Sequence, residues 1–178
     1  MRSFFWLLLL GVVLATIALV VRSGIISRKN PGLPINGAMR AAMGEGGMQW
    51  SERDTALIAQ NYNGAFDTPT GLRYLVRQPG TGDATPKKGQ VVTVNYEGRL
   101  LEGEKVFDTS ANRDGPFNFP IGQGTVISGW DEGILTMKKG EKRTLIIPYW
   151  LGYGEKGITG KIPRSATLVF DIELLKFE

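Results

Sequence analysis

The 178-residue chain carries 21 Lys/Arg against 17 Asp/Glu, is 42% hydrophobic, and has neither Cys nor His. Those two absences exclude thiol nucleophiles, disulfides, histidine-based metal sites and any triad that uses imidazole as its base. From residue 70 onward 15 Lys/Arg and 13 Asp/Glu are interleaved, a solvated surface rather than a nucleic-acid footprint; no nucleic acid, metal or cofactor is expected.

The first element is an uncharged, apolar run of 18 residues, Phe4 to Val21, about 27 Å long as a helix at ~1.5 Å per residue. That length suits a membrane span. A cleaved secretory signal and a buried helix of the fold are the competing readings, and the lack of an A-x-A-like site behind the run favours an anchor that is kept. Residues 1–22 are therefore read as an N-terminal transmembrane anchor or uncleaved signal. Arg22, Arg28 and Lys29 outnumber Arg2 across the span, which leans toward a cytoplasmic C-terminal side.

Residues 23–69 read as a linker, broken by Pro31, Pro34 and the Asn36-Gly37 turn signal. Within it, Ser51 and Asp54 ahead of Ala56-Leu57-Ile58-Ala59 predict a short helix that ends near Asn61, before Asn63-Gly64. A spacer is the plain reading of that helix and a dimerisation or partner helix the other.

Residues 70–178 read as one folded domain. Strands are predicted over Leu72–Arg77, around Val92, Val94 and Tyr96, over Lys105–Asp108 beyond the Glu102-Gly103 hairpin, over Arg143–Ile147, and over Ala166–Phe177. In the last, Leu168, Phe170, Ile172 and Leu174 alternate with Thr167, Asp171 and Glu173, which predicts one buried and one wet face. Between the strands, Val126-Ile-Ser-Gly-Trp-Asp-Glu-Gly133 predicts a break at Gly129 and a short helix from Trp130. Asp131 and Glu132 would meet its positive end, Lys138 and Lys139 its negative end, and Gly140 would close it. Trp130, Ile134 and Met137 share one apolar face, so so short a helix needs a sheet to cover. The expected fold is α+β: a five- or six-stranded antiparallel sheet curled around one short helix, preceded by the transmembrane helix. Gly152-Tyr-Gly-Glu-Lys-Gly157 fits G-x-G-x-x-G, but Gly160 and Pro163 break the helix that a phosphate site would need next.

Six segments in order carry a resemblance: Asn95-Tyr-Glu-Gly98, Val106-Phe-Asp-Thr-Ser110, Gly115-Pro-Phe-Asn-Phe-Pro-Ile-Gly122, Val126 to Gly133, Leu151-Gly-Tyr-Gly154, and Ile162-Pro through Ala166 to Asp171. Over residues 70–178 they resemble the FKBP-type peptidyl-prolyl isomerases, or immunophilins, here of a membrane-anchored, bacterial-like kind. The resemblance implies an FKBP-like fold and a rotamase that turns peptide bonds before proline, assisting protein folding at or across a membrane. Its partners would be proline-containing peptides, unfolded proteins, macrolide inhibitors of the class, and the membrane through residues 4–21. It implies catalytic roles for Tyr96, Asp108, Trp130 and Tyr153: Trp130 as the floor under the prolyl ring, Asp108 held by the Tyr96 hydroxyl, Tyr153 as a donor to a substrate carbonyl. Phe107, Phe117, Val126, Ile127, Ile162 and Phe170 would bind substrate. A domain outside the cytoplasm is expected on this reading, against the Lys/Arg count. Three rim positions depart from the family pattern: Ile158 stands where many members have His, Lys161 where an apolar residue is common, and Arg164-Ser165 replace a Pro-rich segment. Two other functions fit the residues, a module that holds proline segments without turnover and a closed β-barrel carrier, the latter needing longer and more even strands.

Overall fold

The computed structural model describes residues 48–113 and 115–178. The apolar run 4–21 and the linker residues 23–47 lie outside the described residues. Among the described residues no helix is long and apolar enough to cross a membrane.

In chain order the elements are α1 (Glu52–Asn61), β1 (Phe66–Asp67), β2 (Arg73–Gln78), β3 (Val91–Leu100), β4 (Val106–Thr109), β5 (Phe117–Pro120), α2 (Ser128–Ile134), β6 (Lys142–Ile147) and β7 (Leu168–Phe177). The strands form one antiparallel sheet of seven, in the order β1-β2-β6-β7-β3-β4, with β5 also paired to β3. Five of them are the strands predicted from alternation. The expected five or six becomes seven because β1 has two residues, and β5, as short as β4, lacks a hairpin signal like the Glu102-Gly103 that marks β4. β3 runs ten residues, and one edge of it serves two partners, β5 along its first half and β4 along its second.

Period two sorts the side chains. Val92, Val94 and Tyr96 of β3, Leu145 and Ile147 of β6, and Phe170, Ile172 and Leu174 of β7 are buried on the inner face, which α2 covers with Trp130 and Ile134. α2 sits unusually close to the sheet. A Cβ on Gly129 would lie 2.6 Å from Ile147 Cγ2, and one on Gly133 would lie 2.7 Å from Leu145 Cδ1. Gly129 is thus inside the first turn of the helix, not the break before it, and it is small because the helix presses there.

The helix also ends earlier than predicted, at Ile134 with Leu135 as its C-cap, so Lys138 and Lys139 lie beyond it. One of its last carbonyls, that of Gly133, is met by a buried arginine instead. Arg143 donates to Gly133 O at 3.2 Å and to Thr136 Oγ1 at 2.7 Å, while Glu141 pairs with it at 2.5 Å. The acids at the start of α2 are likewise spoken for: Asp131 accepts from Gly122 N and Gly124 N at 2.8 Å each, and Glu132 accepts from Thr70 Oγ1. Gly122 and Gly124 both have φ near +70°, which lets that loop turn its N–H groups inward.

The outer face is not uniformly wet. Asp171 and Glu173 do face out, into a polar net with Arg99, Thr144, Lys142 and Asn95. Val169 and Ile146, however, are fully buried, because α1 lies over them with Ile58 and Tyr62 and joins Leu101 in a second core cluster. The predicted capping is present, with Ser51 Oγ accepting from Asp54 N at 3.0 Å. Thr167 Oγ1 donates to Asp54 at 3.0 Å, and Arg53 pairs with Glu102. Ahead of α1, Trp50 meets Trp150 edge-on with centroids 5.8 Å apart. Residues 48–69, expected as linker with a spacer helix, are packed onto the domain.

Candidate functional site

One row of the sheet organises the site. Gly98 stands between Asp108 on β4 and Phe170 on β7, and all three face inward. A Cβ at Gly98 would lie 2.4 Å from the Phe170 ring and 3.0 Å from Phe107. With glycine there, both rings lie over β3 and meet edge-on, with centroids 5.5 Å apart. Two residues earlier on the same face comes Tyr96, whose backbone N–H bonds to Ser110 Oγ at 3.0 Å and whose carbonyl accepts from Thr109 Oγ1 at 3.1 Å.

Tyr96, Asp108 and Phe170 wall a cavity of about 250 Å³. Trp130, only 4% exposed, enters from α2 and contacts Tyr96 (centroids 4.9 Å apart), Phe170 (5.2 Å) and Phe119 (5.6 Å). Phe117 closes the opposite side, edge-on to Tyr96 at 6.2 Å. Val126, Ile127 and Tyr153 complete the lining. The Trp130 indole N–H is buried without a hydrogen-bond partner among the described residues. An orphan donor of that kind costs about 1–3 kcal/mol, which packing of the ring has to offset.

The polar end is a linked triplet. The Tyr96 hydroxyl donates to Asp108 Oδ2 at 2.9 Å, and Arg113 donates to the same oxygen at 3.1 Å. The Arg113 guanidinium also lies over the Phe117 ring, 5.5 Å from its centroid, and over Tyr96 at 5.9 Å. Burial, then the hydrogen bond and charge of Asp108, push the Tyr96 phenol up to about 12. Burial and the Asp108 charge raise Tyr153 as well. Both hydroxyls are therefore protonated donors at neutral pH, unsuited to proton transfer but suited to orienting a carbonyl.

Of the ten residues named from sequence, eight line this cavity. Two do not. Phe107 backs Phe170 from behind, and Ile162 is buried along an adjoining depression, where its backbone pairs with Ile158 by two 2.8 Å bonds. Two lining residues were missed, Arg113 and Thr125. Arg113 was legible only as a cation five residues past Asp108, in a loop where no period points to it. Gly157 of the G-x-G-x-x-G string serves loop closure, since a Cβ there would lie 2.2 Å from Pro163 O. No cluster of three or more acids able to hold a metal occurs among the described residues. A shallow depression of about 300 Å³ on the outer face, near Arg77, Lys142 and Asp171, is lined by groups already bonded to one another.

A family model described as FKBP-type peptidyl-prolyl cis-trans isomerase matches residues 82–175. FK506-binding protein 1 of Yarrowia lipolytica is 53% identical over 98 residues, covering 55% of this chain and 90% of its own. The peptidyl-prolyl cis-trans isomerase Fkbp12 of Drosophila melanogaster is 47% identical over 108 residues, 61% of this chain and 99% of that one. FK506-binding protein 1A of Neurospora crassa is 49% identical over 105 residues, covering 59% and 87%. All three are eukaryotic, so the bacterial-like part of the resemblance finds no support in them.

Proposed function

Because the chain belongs to the FKBP-type peptidyl-prolyl cis-trans isomerases and is an enzyme of that type, we propose that the aromatic cavity holds the prolyl ring and that the full chain works at a membrane. The observation that carries the first part is the Tyr96 hydroxyl on Asp108 inside a box of aromatic rings closed by Trp130. A peptide bond resists rotation by ~18–20 kcal/mol through its resonance. Before proline the two isomers differ by only about 0.5–1 kcal/mol yet exchange over tens to hundreds of seconds. Twisting the amide removes that resonance and lowers its charge separation, so an aromatic, largely dry cavity favours the twisted form over the planar one. A thousandfold acceleration needs about 4 kcal/mol of such preference.

In this reading Trp130 is the floor under the ring, and Tyr96, Phe117 and Phe170 are walls. Val126 and Ile127 form an edge with a backbone N–H for the substrate, and Tyr153 donates to a substrate carbonyl. Asp108 holds Tyr96 and shapes the field around the turning carbonyl, and no proton moves. Phe107 and Ile162 act from behind the walls. The chain should speed cis/trans exchange in a proline tetrapeptide, and FK506, which the relatives' names record as their ligand, should compete for the cavity. Binding of FK506 without peptide turnover would reduce the chain to a module that only holds proline segments. Turnover untouched by saturating FK506 would put the chemistry elsewhere.

The second part concerns location. Residues 1–22 anchor the chain through the run 4–21, residues 23–47 link it, and the catalytic domain of residues 70–178 stands outside the cytoplasm with residues 48–69 docked on it. The uncharged 18-residue run supports the anchor, and the Lys/Arg count opposes this orientation. There the enzyme would assist folding of exported or membrane-adjacent proteins. Protease added to intact expressing cells should remove the domain; protection until lysis would reverse the orientation, and release from membranes by carbonate would remove the anchor.

A further inference from the structure

Beside the aromatic cavity lies a larger depression of about 530 Å³, between the turn joining β3 to β4 and the loop of residues 155–164. Leu100, Ile162 and Pro163 give it an apolar base, and four cations surround it: Lys105, Lys156, Lys161 and Arg164. No acidic residue lines it. Glu104 and Glu155 adjoin two of the cations in sequence but are not part of the lining. All four cations are exposed, and none forms an ion pair among the described residues. Arg73, Arg99, Arg113 and Arg143 each meet a carboxylate, and other cations such as Arg77, Lys87, Lys88 and Lys139 are also unpaired among the described residues, but none of those lines this depression. Four like charges gathered without a counter-charge repel one another, a cost that an anionic occupant would remove.

The backbone that carries these charges is held in place. Ile158 and Ile162 exchange two 2.8 Å hydrogen bonds, Leu100 N bonds to Lys105 O at 3.0 Å, and Gly157 packs directly on Pro163. The depression adjoins the cavity's frame: Leu100 follows Gly98, the glycine under Phe170, by two positions on β3, and Ile162 belongs to the core cluster that holds Tyr96, Trp130 and Phe170. Lys105 precedes Phe107, the ring behind Phe170, by two positions, and Lys156 follows the cavity residue Tyr153 by three. A polypeptide with its proline in the cavity would lay its neighbouring residues over this depression.

We propose that the depression is a subsite for acidic side chains of the client, so that the enzyme favours prolyl bonds flanked by Asp and Glu; this rests on the cavity assignment above. The test uses the full chain in a neutral detergent and three peptides with the same Leu-Pro centre, flanked on both sides by Glu, by Gln or by Lys. The expected order of kcat/KM is Glu over Gln over Lys. The Glu peptide should lead its Gln isostere by about fivefold or more at low salt, since several exposed charge contacts of modest strength combine. The lead should be carried by KM and should shrink in 1 M salt, where the screening length falls to about 3 Å. In the variant Lys105→Gln, Lys156→Gln, Lys161→Gln, Arg164→Gln the ratio should fall to about 1, whereas structural damage would lower both peptides alike. If that variant does not fold, Lys161→Gln alone must still lower the ratio. A ratio near 1 in the unmodified chain, or one that survives the substitutions, overturns the proposal. So does a ratio near 1 with charge-dependent binding to phosphatidylserine vesicles or an oligonucleotide, which would make the depression a lipid or nucleic-acid surface. Failure to turn over even the Gln peptide would sink the cavity assignment itself.

Discussion

Asp108 answers to two neighbours, accepting from both the Tyr96 hydroxyl and Arg113 while lying partly open to solvent. Replacing it with Val removes the anchor of the Tyr96 hydroxyl but leaves no cavity, because the position is at the mouth. We expect turnover to fall about tenfold or more, a loss near 1.4 kcal/mol in the barrier, with the urea midpoint shifted little. Trp130→Ala should differ, since the ring is both cavity floor and helix anchor, and stability should drop by about 3–5 kcal/mol along with activity. Normal turnover in the Asp108 variant would remove that residue from the site. The raised phenol of Tyr96 gives a second test. Its pKa lies above the unfolded value of ~10 and reaches about 12 in the fold. The stability this contributes is therefore complete below pH 10 and lost as pH rises through 12. The gap in urea midpoint between the unmodified chain and Tyr96→Phe should be constant from pH 7 to about 9.5 and close above it, while peptide turnover stays flat across the same neutral range. A midpoint gap that changes near pH 7 would contradict this.

Among the elements, α2 shows most clearly what local sequence can and cannot convey. Its apolar face was legible, since Trp130, Ile134 and Met137 are all buried. Its ends were not. Gly129 reads as a break in sequence, yet it and Gly133 are both small so that the helix can lie against Ile147 and Leu145, and only the tertiary contact shows it. Lys138 and Lys139 look like dipole partners, yet Arg143, from the next strand, donates to the helix carbonyl of Gly133 and to the Thr136 hydroxyl beyond it. Gly133→Ala should therefore destabilise the domain by about 1–3 kcal/mol through overpacking, although alanine is the better helix former. It should also lower turnover, because the shift moves Trp130 relative to Tyr96; a rise in the urea midpoint would mean the contact is slack. The strands were legible wherever one face is buried along the whole length. β5 was hidden because its alternation, Phe117-Asn118-Phe119, is only three residues long, and the cavity was legible through the six family-like segments, which carry its strand and loop residues alike. Arg113 lies between two of those segments, after Ser110 and before Gly115, and had no motif to reveal it.

At the scale of the molecule, α1 converts half of the sheet's outer face into a second core. Ile58→Ala should cost about 2–5 kcal/mol and leave the aromatic cavity on the inner face intact, so peptide turnover at low temperature should persist while the urea midpoint falls. Equal loss of both would mean that the two faces are coupled more tightly than their separate clusters imply. The docking of α1 would have a further effect if, as proposed, the run 4–21 anchors the chain. If residues 48–69 were free, they would lengthen such a leash; packed onto the domain, they would leave only residues 22–47 between bilayer and domain. At roughly 3.3–3.6 Å per residue even a taut chain of that length reaches no more than about 90 Å. On that reading the enzyme would be confined to clients that come within one short radius of the surface.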